Sequence, residues 1–269
     1  IRVHIHVNNP GDVYLACEKF GELHQQKADD MSRQVGLMNQ TGKVAVVTDS
    51  GADIPFEEQE RLAIHMVPVR LNFGETEYID YVSLMPADLY RMLAESEESP
   101  KTSQPPVGDF SRQYDLLTGH GYEVISVGLS EKLSGTTQAA RTAAERFEDR
   151  IRVFDSQSAS CGEGLLVVIA AEAARQGMSM DEIEQMLNKY RPLCFTFALP
   201  NDLAYIVRGG RLPAWVKKLT TFLRISPLLT EKKGRFSLAG FTTGIGAKPS
   251  ALGKTALKKM QQDTSYRIL

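Results

Sequence analysis

One pattern constrains this chain more than any other: short apolar runs rich in β-branched residues, each followed by a loop of hydroxyls and acids and then a helix. Val44-Ala45-Val46-Val47 is the clearest run. A continuous apolar stretch of that length reads as a strand buried on both faces. Thr48-Asp49-Ser50-Gly51 ends it. Residues 122–127, closing on Val127, and 151–154, closing on Phe154, repeat the pattern and run into Leu129-Ser130 and Asp155-Ser156. The intervening patterns predict helices over 56–62, 86–94, 107–117, 138–147, 162–175 and 180–190. Residues 64–73 alternate (Val67, Val69, Leu71, Phe73) and read as one strand, and residues 100–106 read as a loop. This alternation predicts an α/β fold, a parallel sheet with helices on both faces. In such a sheet the functional loops lie at the carboxyl ends of the strands.

The pattern changes beyond about residue 192. Residues 195–199 and 225–230 read as strands, and 235–241 pairs with the latter across Lys232-Lys233-Gly234, a hairpin turn. This predicts a second, α+β domain. At the other end, residues 1–7 alternate like a strand, Pro10-Gly11-Asp12 opens a helix running to Leu23, and residues 24–42 read as a linker. The expected division is 1–42, 43–162 and 163–269. The first residues fall inside an alternating run with no initiator Met, so the sequence is expected to be a fragment of a longer polypeptide.

Composition narrows the function. Formal net charge is −2 over 269 residues, whereas a nucleic-acid-binding domain is usually clearly basic. No apolar run approaches the roughly 18 residues of a membrane-spanning helix. Cys17, Cys161 and Cys194 are odd in number, far apart and without a CxxC pair. Reduced thiols in a cytoplasmic protein are the expectation, with no metal site made by this chain alone.

Several loops carry candidate chemistry. Thr102-Ser103-Gln104-Pro105-Pro106 is a proline-fixed loop bearing hydroxyls; it serves equally well as a cap for the helix near Val107. Leu133-Ser134-Gly135-Thr136-Thr137 follows a strand and precedes a helix. A helix N-terminus offers free N–H groups and the positive end of a dipole, Gly135 permits close approach, and the Ser134 and Thr136 hydroxyls add donors. Here too a capped helix start is the plain alternative. Arg208-Gly209-Gly210-Arg211 reads as cations presented on a tight turn, or as a helix C-cap. His4 and His6 lie two apart on one side of an expected strand, without an identifiable third ligand. Asp49 and Asp155 either shape a pocket or accept hydrogen bonds from neighbouring loop N–H groups. There is no P-loop, dinucleotide fingerprint or nucleophile elbow.

Taken in order, Thr48-Asp49-Ser50, Thr102-Ser103-Gln104-Pro105, Leu133-Ser134-Gly135-Thr136, Asp155-Ser156 and Gly209-Gly210-Arg211 resemble the DegV family of fatty-acid-binding proteins, the acyl-carrier subunits of bacterial fatty acid kinase. The likeness runs from about Lys43 to the end. It departs at Pro106, where Ser is common, and at Arg208, where Lys is common. It implies a two-domain fold with an acyl chain between or within the domains, and no catalytic residue or cofactor in the carrier. It implies ligand contacts at Ser50, Thr102, Ser103, Ser134, Gly135 and Thr136, with Arg211 near the carboxylate or the partner surface. The bound acid is then presented to an ATP-using kinase. Val3-His4-Ile5-His6-Val7, Asn9-Pro10-Gly11, residues 19–23 and Asp30-Met31 resemble the middle region of the kinase component, which implies a kinase ATP-binding domain fused upstream. The competing expectation is an enzyme acting on a small carboxylated or phosphorylated metabolite through the same loops.

Overall fold

The computed structural model describes residues 5–7, 10–21, 23, 26, 42–95, 99–223, 225–243 and 249–260. Its centre is a four-stranded parallel sheet built from β1 (Val44–Asp49), β2 (His65–Val67), β6 (Glu123–Gly128) and β7 (Ile151–Asp155) in the order β2-β1-β6-β7. All six residues of β1 are buried. Pleating sends Val44 and Val46 to one face with Ile125 and Val127, and Ala45 and Val47 to the other with Val124.

Helices cover both faces, as the sequence predicts. The first face packs on α6 (Cys161–Arg175) and α7 (Met180–Tyr190), the second on α4 (Val107–Gly119) and α5 (Thr136–Ala144). Leu166, Ile183 and Leu187 are fully enclosed, and burying each such side chain contributes about 1.5–3 kcal/mol. The start of α7 is set by a capping box in which Ser179 accepts from Glu182 N at 3.4 Å while Glu182 Oε2 accepts from Ser179 N at 2.8 Å. Both α6 and α7 follow residue 162 in the chain or span it, yet they pack on the parallel sheet.

Two antiparallel sheets flank this core. One is formed by β3 (Arg70–Phe73), β4 (Thr76–Ile79) and β5 (Lys101–Ser103) in the order β4-β3-β5. The other holds β8 (Phe197–Ala198), β9 (Ile225–Lys232) and β10 (Arg235–Thr243) in the order β10-β9-β8. The β9–β10 hairpin turns on Lys233 (φ 50°) and Gly234 (φ 77°), the positive-φ pair that a two-residue turn requires.

The structure corrects several expectations. Residues 64–73 are not one strand. Pro68 has no N–H to donate, so the chain leaves the parallel sheet after Val67 and re-enters the antiparallel one at Arg70. Lys101–Ser103, expected as loop, pair with β3 in the register Arg70↔Ser103, Leu71↔Thr102, Asn72↔Lys101. Residues 5–7 form no strand, and the first helix, α1, is shorter, Pro10–Glu18; His4, Asp30, Met31 and most of the linker lie outside the described residues. Further helices were not anticipated: α8 (Ala204–Arg208), α9 (Ala214–Leu223) and α10 (Pro249–Leu257). The two remaining helices, α2 (Phe56–Arg61) and α3 (Pro86–Glu95), fall where the sequence places them.

Candidate functional site

Strand order reverses at β1: β2 lies on one side, β6 and β7 on the other. In open α/β sheets the crevice outside the strands' carboxyl ends at such a point is the usual ligand site. Here it is bounded by the loops after β1, β6 and β7, with the end of β5 and the turn after α8 brought alongside.

The loop after β6 carries Ser134, Gly135 and Thr136. Ser134 is half-buried, its Oγ lying 2.9 Å from Thr136 Oγ1 and accepting from Thr136 N at 3.3 Å. The capping alternative is therefore realised locally. It leaves Ser134 at the mouth of the loop, whereas Thr136 is fully buried. The Thr137 hydroxyl donates to Leu129 O at 2.6 Å and closes the loop on itself.

Gly135 has a role that spacing alone did not reveal. A Cβ there would stand 1.8 Å from Gln104 Oε1. The missing side chain is thus filled by Gln104, which reaches across from the end of β5. This contact brings the Thr102-Ser103-Gln104 segment to the Ser134 loop. Thr102, Ser103 and Gln104 are exposed, and Ser103 Oγ accepts from Asn72 Nδ2 at 3.3 Å. Pro105 is buried, and the chain turns into α4 at Pro106. Buried Arg70 holds β3 to α4 through an ion pair with Asp109.

Arg211 reaches the same place from the other half of the chain. Gly209 ends α8 and Gly210 takes φ 76°, the left-handed position that glycine suits best. Arg211 N bonds to Ile206 O at 3.1 Å, so the C-cap alternative also holds. The exposed guanidinium then donates from Nε to Leu133 O at 3.2 Å and from Nη1 to Gly209 O at 2.6 Å. Gln104, Ser134-Gly135 and Arg211 thus meet at one edge.

Other predicted residues are placed differently. Ser50 is buried beneath the site, where its Oγ accepts from Val69 N at 3.0 Å. Asp155 accepts from Gln157 N at 2.9 Å, the loop-bracing alternative. Asp49 does likewise: Oδ1 takes Gly51 N at 2.9 Å and Oδ2 takes Leu129 N at 3.0 Å. Burial raises the Asp49 carboxyl to about 6, those two backbone donors opposing the rise. Burial also raises Asp80 to about 6 and, joined by repulsion from Asp49, pushes Glu163 well above the usual range. Among the described residues no group of three or more His, Cys, Asp or Glu could hold a metal ion, and no helix is long and apolar enough to cross a membrane.

Sequence reasoning missed Glu163 and the second sheet's contacts with this edge. Glu163 is the one acid in the otherwise apolar first turns of α6, which was its available signal. The β9–β10 turn docks on the Ser130 loop: Ser130 Oγ donates to Gly234 O at 2.8 Å and Lys132 Nζ to Lys233 O at 2.7 Å. A Cβ on Gly234 would fall 2.4 Å from Ser130 Oγ, so glycine is needed there. Glu231 reaches Ser158, itself 3.2 Å from Thr196 between their hydroxyl oxygens.

Comparison with known proteins places this geometry. Residues 43–269 match the family model described as "Uncharacterised protein, DegV family", and residues 1–37 match the model for the middle domain of the ATP-using component of fatty acid kinase and proteins like it. A DegV domain-containing protein of Listeria monocytogenes is 35% identical over 189 residues, 70% of this chain and 67% of that protein. A Staphylococcus aureus relative is 33% identical over 196 residues, 73% of this chain and 70% of its own. Among solved structures, a DegV family protein from Thermus thermophilus, described by its fatty acid binding, superposes with TM-score 0.71 at 33% identity, covering 80% of this chain and 76% of the other. DegV of Bacillus subtilis, described as a fatty acid binding protein, gives 0.67 at 31% identity, with 81% and 77% covered.

Proposed function

The chain belongs to the DegV family, and on that premise we propose that it binds a long-chain fatty acid and presents the carboxylate for phosphorylation by a fatty acid kinase. The observation that carries this reading is the meeting of Gln104, Ser134-Gly135 and Arg211 at the carboxyl edge of the parallel sheet. A carboxylate at the mouth of an apolar site needs charge-assisted hydrogen bonds. Ser134, the exposed hydroxyls of Thr102 and Ser103, and the first free N–H groups of α5 supply them without a buried ion pair. One carboxylate oxygen stays open to attack the γ-phosphate of ATP, giving an acyl phosphate and ADP. The tail supplies most of the affinity, since each buried CH₂ contributes about 0.8 kcal/mol; the loops set orientation.

In this reading the chain binds, positions and releases, and the kinase performs the chemistry. The similarity of residues 1–37 to a kinase middle domain supports a partner kinase domain lying upstream in the same polypeptide, in a cytoplasmic setting. The test is a titration with a fluorescent long-chain acid, competed by acids of decreasing length. Affinity that weakens stepwise with each methylene removed is expected. Equal competition by a short acid and a long one would refute tail-driven binding.

A further inference from the structure

Beneath the Ser134 loop lies a pair of carboxyl groups to which neither the sequence nor the family likeness assigns a task. Asp49, at the end of β1, and Glu163, in the first turns of α6, are both essentially inaccessible to solvent, and their side chains hydrogen-bond to each other. Thr48 Oγ1 donates to Glu163 Oε1 at 3.3 Å, while no N–H or hydroxyl among the described residues reaches Glu163 Oε2. Two buried carboxylates in contact cannot both be ionised, and one shared proton resolves the repulsion. Asp49 already accepts two backbone N–H bonds, so it keeps the charge and Glu163 keeps the proton.

The charge holds the loop. Asp49 Oδ2 takes Leu129 N at 3.0 Å, the Leu129 carbonyl takes the Thr137 hydroxyl at 2.6 Å, and Ser134 N bonds to Ser130 O at 3.1 Å inside the same loop. Gly128 makes this approach possible, because a Cβ there would stand 2.4 Å from Thr137 Oγ1. The titratable groups facing the pair are Asp53 from the loop after β1 and Asp80 from the end of β4, the latter bonded to Ser50.

We propose that Asp49 and Glu163 are positioning residues, a pair sharing one proton that fixes the loop bearing Ser134. The effect on ligand affinity rests on the anion-site reading above; the effect on the loop does not. Asp49→Asn puts an amide where two acceptor oxygens are needed. Glu163→Leu removes the donor to Asp49, and Glu163→Gln restores a donor that does not titrate.

The experiment is hydrogen exchange by mass spectrometry on the full chain, following the peptide over 128–137. Asp49→Asn and Glu163→Leu are expected to speed exchange there about tenfold, the loss of one hydrogen bond, and Glu163→Gln to stay near wild type. In the wild type, protection of this peptide, corrected for intrinsic rate, should weaken as pH falls through the titration of Asp49. In Glu163→Gln the weakening should move to lower pH, because an amide donor favours the Asp49 anion. Wild-type protection in Asp49→Asn, or identical behaviour of Glu163→Gln and Glu163→Leu, overturns the proposal. A loop that responds in a chain that takes up no fatty acid upholds the positioning role and refutes the ligand reading.

Discussion

The Asp49 carboxylate accepts a hydrogen bond from Leu129 N at 3.0 Å, joining the ends of β1 and β6 at the point where strand order reverses. The crevice where the family's motifs gather is thus braced by a buried charge, and the bracing responds to pH.

The sign of that response follows from the direction of the shift. Asp49 is raised from 3.8 to about 6 by burial, and Glu163 is raised further. The folded chain therefore binds their protons more tightly than the unfolded chain does. Stability from these groups is fully present below the unfolded carboxyl range and is lost as pH rises through 6. A shift of that size at Asp49 corresponds to about 3 kcal/mol. Chemical denaturation at pH 4.5, 5.5 and 6.5 should show falling stability in the wild type and a flatter profile in Glu163→Gln. A wild-type stability that climbs steeply over this interval would contradict the assignment.

Ser134→Ala should weaken fatty acid binding by about 1–3 kcal/mol, the cost of leaving a charged acceptor short of a donor. The exposed setting of the loop predicts little change in melting temperature. Isothermal titration with a long-chain acid measures the first quantity, calorimetry the second, and unchanged affinity removes Ser134 from the site.

Gly135→Ala tests the contact between the two loops. The added methyl meets the far end of the Gln104 side chain, 1.8 Å from Oε1 in the present geometry, rather than backbone. The amide must swing away, so stability should fall by no more than about 1 kcal/mol while binding falls with the displaced segment. A variant that binds normally would show that Gln104 and the Ser134 loop do not act together.

Asp109→Ala should be the most damaging of these changes. It leaves the buried Arg70 guanidinium with only Glu77 nearby, at 3.8 Å, and breaking such a pair costs about 3–5 kcal/mol. β3 and β5 should loosen together, so exchange in residues 99–104 should rise ahead of that in β1. Equal rises throughout would mean that the small sheet is no separate unit.

The sequence made the parallel sheet legible because β-branched runs such as Val44-Ala45-Val46-Val47 have no other economical home. It made the site's loops legible through their place after those strands. It concealed what depends on partners distant in the chain. Lys101-Thr102-Ser103 is a three-residue, exposed strand with no periodicity to read. Pro68 divides one alternating pattern between two sheets. Glu163 stood out only as an acid on an apolar helix, and nothing local to it announces Asp49. The geometry of Gly135 likewise depends on Gln104, 31 positions earlier in the chain.

The central claim is that the native ligand is a fatty acid, and native mass spectrometry of the gently purified full chain tests it most directly. A bound long-chain carboxylic acid, released on denaturation, is the predicted result. A phosphorylated or otherwise polar metabolite in its place, or an empty chain that takes up no added oleate, would contradict it.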